Sequence, residues 1–406
     1  MAVGLKELPA LYPVPGIRLG TTAAGIRKKD RRDLVVIECA PGTQVAATFT
    51  RNRFCAAPVT VAREHLAQHA PRALLINTGF ANAGTGAPGL EDARACCAAL
   101  AGRLNCQAGE ILPFSTGVIG ERLPRERIVA GLPSCLASLD ANGWAEAAHG
   151  IMTTDTLPKG SSRQFKIGAR TVTVTGIAKG AGMIRPDMAT MLAFVATDAA
   201  VAPTVLQACV TAAVNQTFNR ITVDGDTSTN DACVLLATGA AGNPAIQQAD
   251  GEDYMLLLDA ITGVFTELAQ AIVRDAEGAT KFITIEVKGG RSESDCLAVA
   301  YTIAHSPLVK TAFFASDPNW GRILAAIGRA PIEQMDVAKV AIFLNDLCVV
   351  RNGAPDAGYT EAQGLAVMRL PEIRIGVELG AGTASASVWT SDLSHDYVRI
   401  NAEYRS

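Results

Sequence analysis

The sequence predicts an α/β protein of two domains, and three observations predict it. Short apolar runs of strand length alternate with longer helix-patterned segments along the chain. The 406 residues suffice for two domains. From Phe282 the alternation changes and fits a second, smaller α/β unit. Hydrophobic residues make up 49% and charged residues 18%, which favours a large core over disorder.

Taken in order, 34–39 (LVVIEC) and 45–50 (VAATFT) read as strands joined by the turn APGTQ, a hairpin. The basic run 27–32 before them is a solvated flank or a patch for an acidic ligand. Residues 59–69 read as a helix with His65 and His69 at i, i+4, a spacing that could hold a metal. No third ligand and no H-E-x-x-H accompany them, so no metal is expected. A buried strand at 73–86 ends in a Gly/Asn turn, and Pro88 to Leu104 reads as a helix. ILPFSTGVIGERL, 111–123, places a strand before Ser115, Thr116 and Gly117. A Thr-Gly turn can aim one hydroxyl and one N–H at a single point, as an oxyanion hole needs, or can simply be a turn or helix cap. A helix through 125–150 leads to the hydroxyl-rich loop 151–160 and a strand at 170–178.

Residues 202–219 read as a helix, 220–232 as a hydrogen-bonded turn crowded with Asp, Thr and Asn, and 252–276 as a long amphipathic helix. Glu277 follows that helix, where an acid is unfavourable beside the C-terminal end of the dipole. The second unit reads as a strand from Phe282, helix over 295–312, a turn into a helix over 317–329, and strands at 337–346, 372–379 and 385–390. It ends in YVRINAEYRS, read as a strand.

Composition excludes several functions. A net charge of −3 gives no global electrostatic case for nucleic acid or anionic membrane, and 5% aromatics argues against base-stacking platforms. The ten cysteines form no C-x-x-C and lie in apolar surroundings, as small buried hydrophobes in a reducing cytosol do. The N-terminus lacks the apolar core of a signal peptide, and no uncharged apolar run reaches ~18 residues. A cytoplasmic protein without a membrane span is the expectation. The GxG at 180–182 lacks the third glycine and following helix of a dinucleotide loop.

The chain is organised around KGAGMIRPDMATMLAF, residues 179–194. Its first half is loop-like, with Gly180, Gly182 and Pro186; its second half is a short buried strand. Between them stand Ala189 and Thr190. Were their peptide bond cut, the Thr190 hydroxyl would lie beside a terminal amine of pKa ~7.7–8.0, which suits a general base. A plain loop entering a core strand accounts for the same residues.

These segments together resemble the ornithine acetyltransferase family, the glutamate N-acetyltransferases of arginine biosynthesis. The resemblance rests on KGAGMIRPDMATML (179–192), STGVIG (115–120), TTDT-PK (153–159), DAEGATK (275–281), DPNWGR (317–322) and the terminal NAEYRS, in the family's order over nearly the whole chain. It implies an αββα sandwich over 1–280, spanning the cleavage site, and a smaller α/β domain over 281–406. It also implies self-cleavage between Ala189 and Thr190, giving an α chain of 1–189 and a β chain of 190–406 that stay associated and assemble as α2β2.

The resemblance further implies that Thr190 is the nucleophile, taking the acetyl group from N-acetylornithine and passing it to glutamate through an acetyl-threonine ester. Thr116 and Gly117 would stabilise the oxyanion. Thr156, Lys179, Thr190, Glu277, Asn401 and Ser406 would contact substrate, with Lys179 suited to an α-carboxylate and Glu277 to the ornithine ammonium. No bound cofactor is implied; acetyl-CoA is a candidate second acetyl donor, as a substrate. One departure is NTGFANAG, where Phe80 stands in place of the family's usual second Asn. Two competing readings remain open: a self-cleaving aminopeptidase or amidase with water as acceptor, and a non-enzymatic binding module with Thr190 intact.

Overall fold

The computed structural model describes residues 2–185 and 191–403. The chain forms two compact units: Glu7–Asn219 with Thr227–Ile272, and Met1–Lys6 with Arg220–Asp226 and Val273–Ser406.

The larger unit begins with β1 (Ile17–Thr22), β2 (Leu34–Cys39) and β3 (Gln44–Phe49). Helix α1 (Ala57–Gln68), β4 (Ala73–Phe80), α2 (Gly86–Leu104), β5 (Ile111–Val118), α3 (Arg125–Ala137) and α4 (Trp144–Gly150) follow. The hairpin β6 (Lys159–Ile167) and β7 (Arg170–Lys179) precedes β8 (Leu192–Thr197), α5 (Pro203–Gln216), β9 (Ala232–Ala237) and α6 (Gly251–Arg274). One sheet has the order β1-β2-β4-β5 and the other β3-β9-β8-β7-β6.

The two-residue period of the strands builds the layers. Val35, Ile37, Leu74, Ile76, Leu112 and Phe114 of the first sheet share a core with Ile177, Leu192, Phe194 and Val234 of the second. The alternate residues Leu34, Val36, Ala73 and Leu75 face Cys96, Cys97, Leu100, Ile128 and Leu132 of α2 and α3. Helix α5 covers β3 and β9 on the second sheet. The result is the αββα sandwich. Phe114 and Phe194 meet edge-to-face across its middle at 5.1 Å, a geometry worth about 0.5–1.5 kcal/mol beyond burial.

Among the described residues α6 alone has the length and hydropathy of a membrane-crossing helix. Its Leu257, Ile261, Val264, Phe265, Leu268 and Ile272 are fully buried at helical spacing, so the apolar face is a core face.

The smaller unit contains β10 (Phe282–Gly290), α7 (Glu293–Ala304), α8 (Pro307–Phe314), α9 (Trp320–Gly328), β11 (Ala341–Leu344), β12 (Leu347–Arg351) and β13 (Ala354–Pro355). It closes with α10 (Glu361–Met368), β14 (Glu372–Glu378), β15 (Ala384–Ser391) and α11 (His395–Ala402). Its sheet has the order β13-β12-β11-β14-β10-β15, with Cys296, Val299 and Ile303 of α7 packed on Ile283, Ile285 and Val388.

Several expectations are corrected. The 34–39 and 45–50 segments are not a hairpin: β2 pairs with β1 and β4, whereas β3 pairs antiparallel with β9 in the other sheet. The turn between them changes sheets. The 125–150 helix is two helices, broken at an Asp140 turn in which Asp140 Oδ1 accepts from the Asn142 N–H and Leu19 bridges to Asp140. The 295–312 helix likewise breaks before Pro307, where the Ser306 hydroxyl caps α8. The terminal YVRINA is helical rather than extended, because the Ser394 hydroxyl accepts from the Tyr397 N–H and starts α11.

Candidate active site

Thr116 and Gly117 lie inside β5 rather than after it. β5 runs parallel to β4, and the pairing slips where Gly79 and Gly117 face each other. Gly117 has φ 135°, and a Cβ there would stand 2.3 Å from the Gly79 carbonyl carbon. Only glycine allows this approach of two backbones. Buried amides fix the region. Ser115 Oγ donates to Asn77 Oδ1 at 2.6 Å, Asn77 Nδ2 to the Phe80 carbonyl at 3.0 Å, and Asn230 Nδ2 to the Ala81 and Ser115 carbonyls at 2.5 and 2.9 Å.

Lys179 is the last residue of β7, and its Cα partner across the antiparallel ladder is Leu192 of β8. The segment 180–191 thus leaves and returns at adjacent strand ends. Pro186, Asp187, Met188, Ala189 and Thr190 fall outside the described residues, as does Ser406. Lys179 Nζ donates to Thr116 Oγ1 at 3.2 Å. A hydroxyl that accepts from an ammonium keeps its own O–H to donate, so Thr116 is oriented as a donor.

Asp155 fixes where this segment starts. It is buried, accepting from Lys159 Nζ at 2.6 Å, from the Gly180 N–H at 2.7 Å and from the Thr153 N–H at 2.9 Å. Burial pushes its carboxyl up, but the Lys159 and Lys179 ammoniums and the Thr153 N–H outweigh that and hold it well below the usual carboxylate range. One carboxylate therefore attracts two cations and ties down the first residue after Lys179. Sequence reasoning chose its exposed neighbour Thr156 and missed Asp155 and Asn230. The signal available was an acid four residues from Lys159 inside a polar run.

The remaining described residues, Glu277 and Asn401, belong to the smaller unit. Glu277 is buried after the end of α6, and its Oε2 accepts from Asn401 Nδ2 at 2.8 Å. Gly278, at φ 69°, turns the chain there, and its carbonyl accepts from Ser394 Oγ at 2.6 Å. Thr116 and Lys179 are thus brought together in one unit, and Glu277 and Asn401 in the other.

Phe80 lies beside the Arg27 guanidinium, 5.4 Å from the ring centroid, and packs against the α2–α3 core. This is local packing. Of the histidine pair, His65 Nδ1 contacts the Ile111 carbonyl at 2.7 Å, while His69 has left the helix and its ring lies over Gly109.

The layering defines a four-layer αββα protein joined to a smaller α/β unit. The chain belongs to the ArgJ family: the model of that family matches residues 18–406. It is 58% identical, over the whole of both chains, to the arginine biosynthesis bifunctional protein ArgJ of Pseudomonas fluorescens. It is 59% identical to the protein of the same name from Methylococcus capsulatus, over 98% of this chain and 97% of that one. A solved structure of the Bacillus halodurans protein of that name is 39% identical, covering 50% of this chain and 95% of its own, with a TM-score of 0.48.

Proposed function

We propose that this chain, an acetyltransferase of arginine biosynthesis, moves the acetyl group of N2-acetylornithine to glutamate through Thr190. The observation that carries the reading is the Lys179–Thr116 hydrogen bond at the start of the segment that holds Ala189 and Thr190. Family membership and full-length likeness to bifunctional arginine-biosynthesis proteins support it.

In the proposed sequence, Thr190 Oγ attacks the Ala189 carbonyl, the peptide C–N bond breaks as the Thr190 amine takes the proton, and water hydrolyses the ester. The freed amine then serves as base. Thr190 Oγ adds to the acetyl carbonyl of N2-acetylornithine, and Thr116 Oγ1 with the Gly117 N–H takes the oxyanion. The amide C–N bond breaks and ornithine leaves with the proton. The glutamate amine attacks the ester, N-acetylglutamate departs and the Thr190 hydroxyl is restored. Lys179 and Thr156 receive substrate carboxylate and Glu277 with Asn401 the distal group, together with Ser406.

The same ester formed from acetyl-CoA, with the CoA thiol leaving, is the proposed second activity; no resident cofactor takes part. The proposed assembly is α2β2, of about twice 42.3 kDa, in a reducing cytosol where the ten cysteines stay as thiols.

The test is acid quenching with isotope-labelled N-acetylornithine followed by peptide mapping. The label is expected on a peptide that begins at Thr190. Without glutamate, ornithine release is expected to stop at one equivalent per site; label on any other residue, or continued turnover without glutamate, overturns the reading in favour of a different nucleophile or a hydrolase.

A further inference from the structure

Helix α11 contains no buried residue; Tyr397 and Ile400 are half-buried and His395 meets Phe314 edge-on at 5.5 Å. Its polar attachments share one helical face at Ser394, Tyr397 and Asn401. Ser394 Oγ donates to the Gly278 carbonyl, Tyr397 Oη donates to Asp224 Oδ2 at 3.2 Å, and Asn401 Nδ2 donates both to Glu277 Oε2 and to the Tyr397 carbonyl at 3.0 Å. All of these residues belong to the smaller unit.

We propose that Tyr397 and Asp224 are positioning residues for the distal end of the substrate, acting through Asn401 and Glu277. The inference rests on the substrate roles given to those two residues above. Asn401 has both amide hydrogens committed, one to the Tyr397 carbonyl and one to Glu277. The amide oxygen is then what it has left to offer a ligand. Its orientation is set by where residue 397 stands on the helix. Residue 397 is in turn held at two points, by its N–H on Ser394 Oγ at the helix start and by its phenol on Asp224.

The phenol suits this role. Burial, with the Asp224 and Glu277 carboxylates nearby, pushes its titration up, so it remains a donor throughout the working range of pH. A phenol donating to a carboxylate is a charge-assisted bond, stronger than a neutral one. Neither group needs to touch substrate. Their effect is on the geometry of two residues that do.

The test is steady-state kinetics of the full, self-processed enzyme. Tyr397→Phe keeps the ring and removes the donor. It is expected to raise KM for N-acetylornithine about tenfold, the loss of one charge-assisted bond, with kcat changed less than twofold. Asp224→Ala should match it, Asp224→Asn should recover part of the loss because its amide oxygen still accepts although without the charge, and the double variant should be no worse than either single one. A KM within twofold of the parent for Tyr397→Phe overturns the inference, as does Asp224→Asn losing as much as Asp224→Ala. Should Tyr397→Phe fail to fold, the Asp224 pair decides alone. Glu277→Gln separates the two layers. If it leaves KM unchanged, the substrate reading itself fails; if it raises KM while Tyr397→Phe does not, only the positioning inference fails.

Discussion

At the residue scale the sharpest dependence is on Asp155. It and Lys159 are fully buried, and removing one partner of such a pair strands the other. Asp155→Asn is therefore expected to cost about 3–5 kcal/mol in denaturant unfolding. The sign with pH follows from its lowered titration. The stabilisation is present above the usual carboxylate range and is lost as pH falls below it, so acid sensitivity should shrink in Asp155→Asn. Thr116→Val removes the proposed oxyanion hydroxyl and should lower turnover by about 10²–10³. Thr190→Ala should give a single band of 42.3 kDa and no acetyl transfer; residual turnover would count heavily against Thr190 as nucleophile. The Thr116–Gly117 step is visible in one window of sequence, but its place inside β5 beside Lys179 is not. Asp155 was not legible, because Gly180 and Lys179, which give it meaning, lie in a different strand connection.

At the element scale, Gly278 decides whether α11 can dock. Its φ is 69°, and a Cβ would stand 2.6 Å from both Ser394 Oγ and the Tyr397 nitrogen. Gly278→Ala should displace the helix and raise KM while leaving the αββα unit folded; unchanged kinetics with unchanged hydrogen exchange in 395–402 would refute this. Ser394→Ala, which loses only the cap and one bond, should cost about 1 kcal/mol. Elements whose own pattern decides them were legible: β4, α2, β7 and β10 read correctly from apolar runs and helical spacing. Pairing was not. The APGTQ turn looks local, yet the partner of β3 is β9, nearly two hundred residues on, and only the shared core of the two sheets selects it. The terminal helix was misread because Tyr397, Val398 and Ile400 favour a strand on propensity, and one serine cap with three polar contacts outweighs them.

At the scale of the whole molecule, the cysteines set an alkaline limit. Burial pushes Cys39, Cys96, Cys135 and Cys209 up to about 12, and Cys97 and Cys233 further. The native state keeps protons that the unfolded chain sheds above the ordinary thiol value of 9.0. This contribution is complete below that pH and is lost above it, by about 1.4 kcal/mol per pH unit for each thiol. Lys310, whose buried amine is pushed down to about 8, and Lys281, lowered by burial, act oppositely, but as two groups against six. The unfolding midpoint should fall steeply between pH 9 and 10; a flat midpoint there would contradict the burial of these thiols.

The second sheet of the sandwich has a consequence for any break within 180–191. Strands β8 and β9, from beyond that segment, lie between β3 on one side and β7 on the other, both from before it. One piece clasps the other like a hand around two fingers, and parting them means breaking both the β3–β9 and the β7–β8 ladders. Native mass spectrometry should find no free half under any condition that leaves the sheet intact, and each half expressed alone should be insoluble until its complement is made in the same cell.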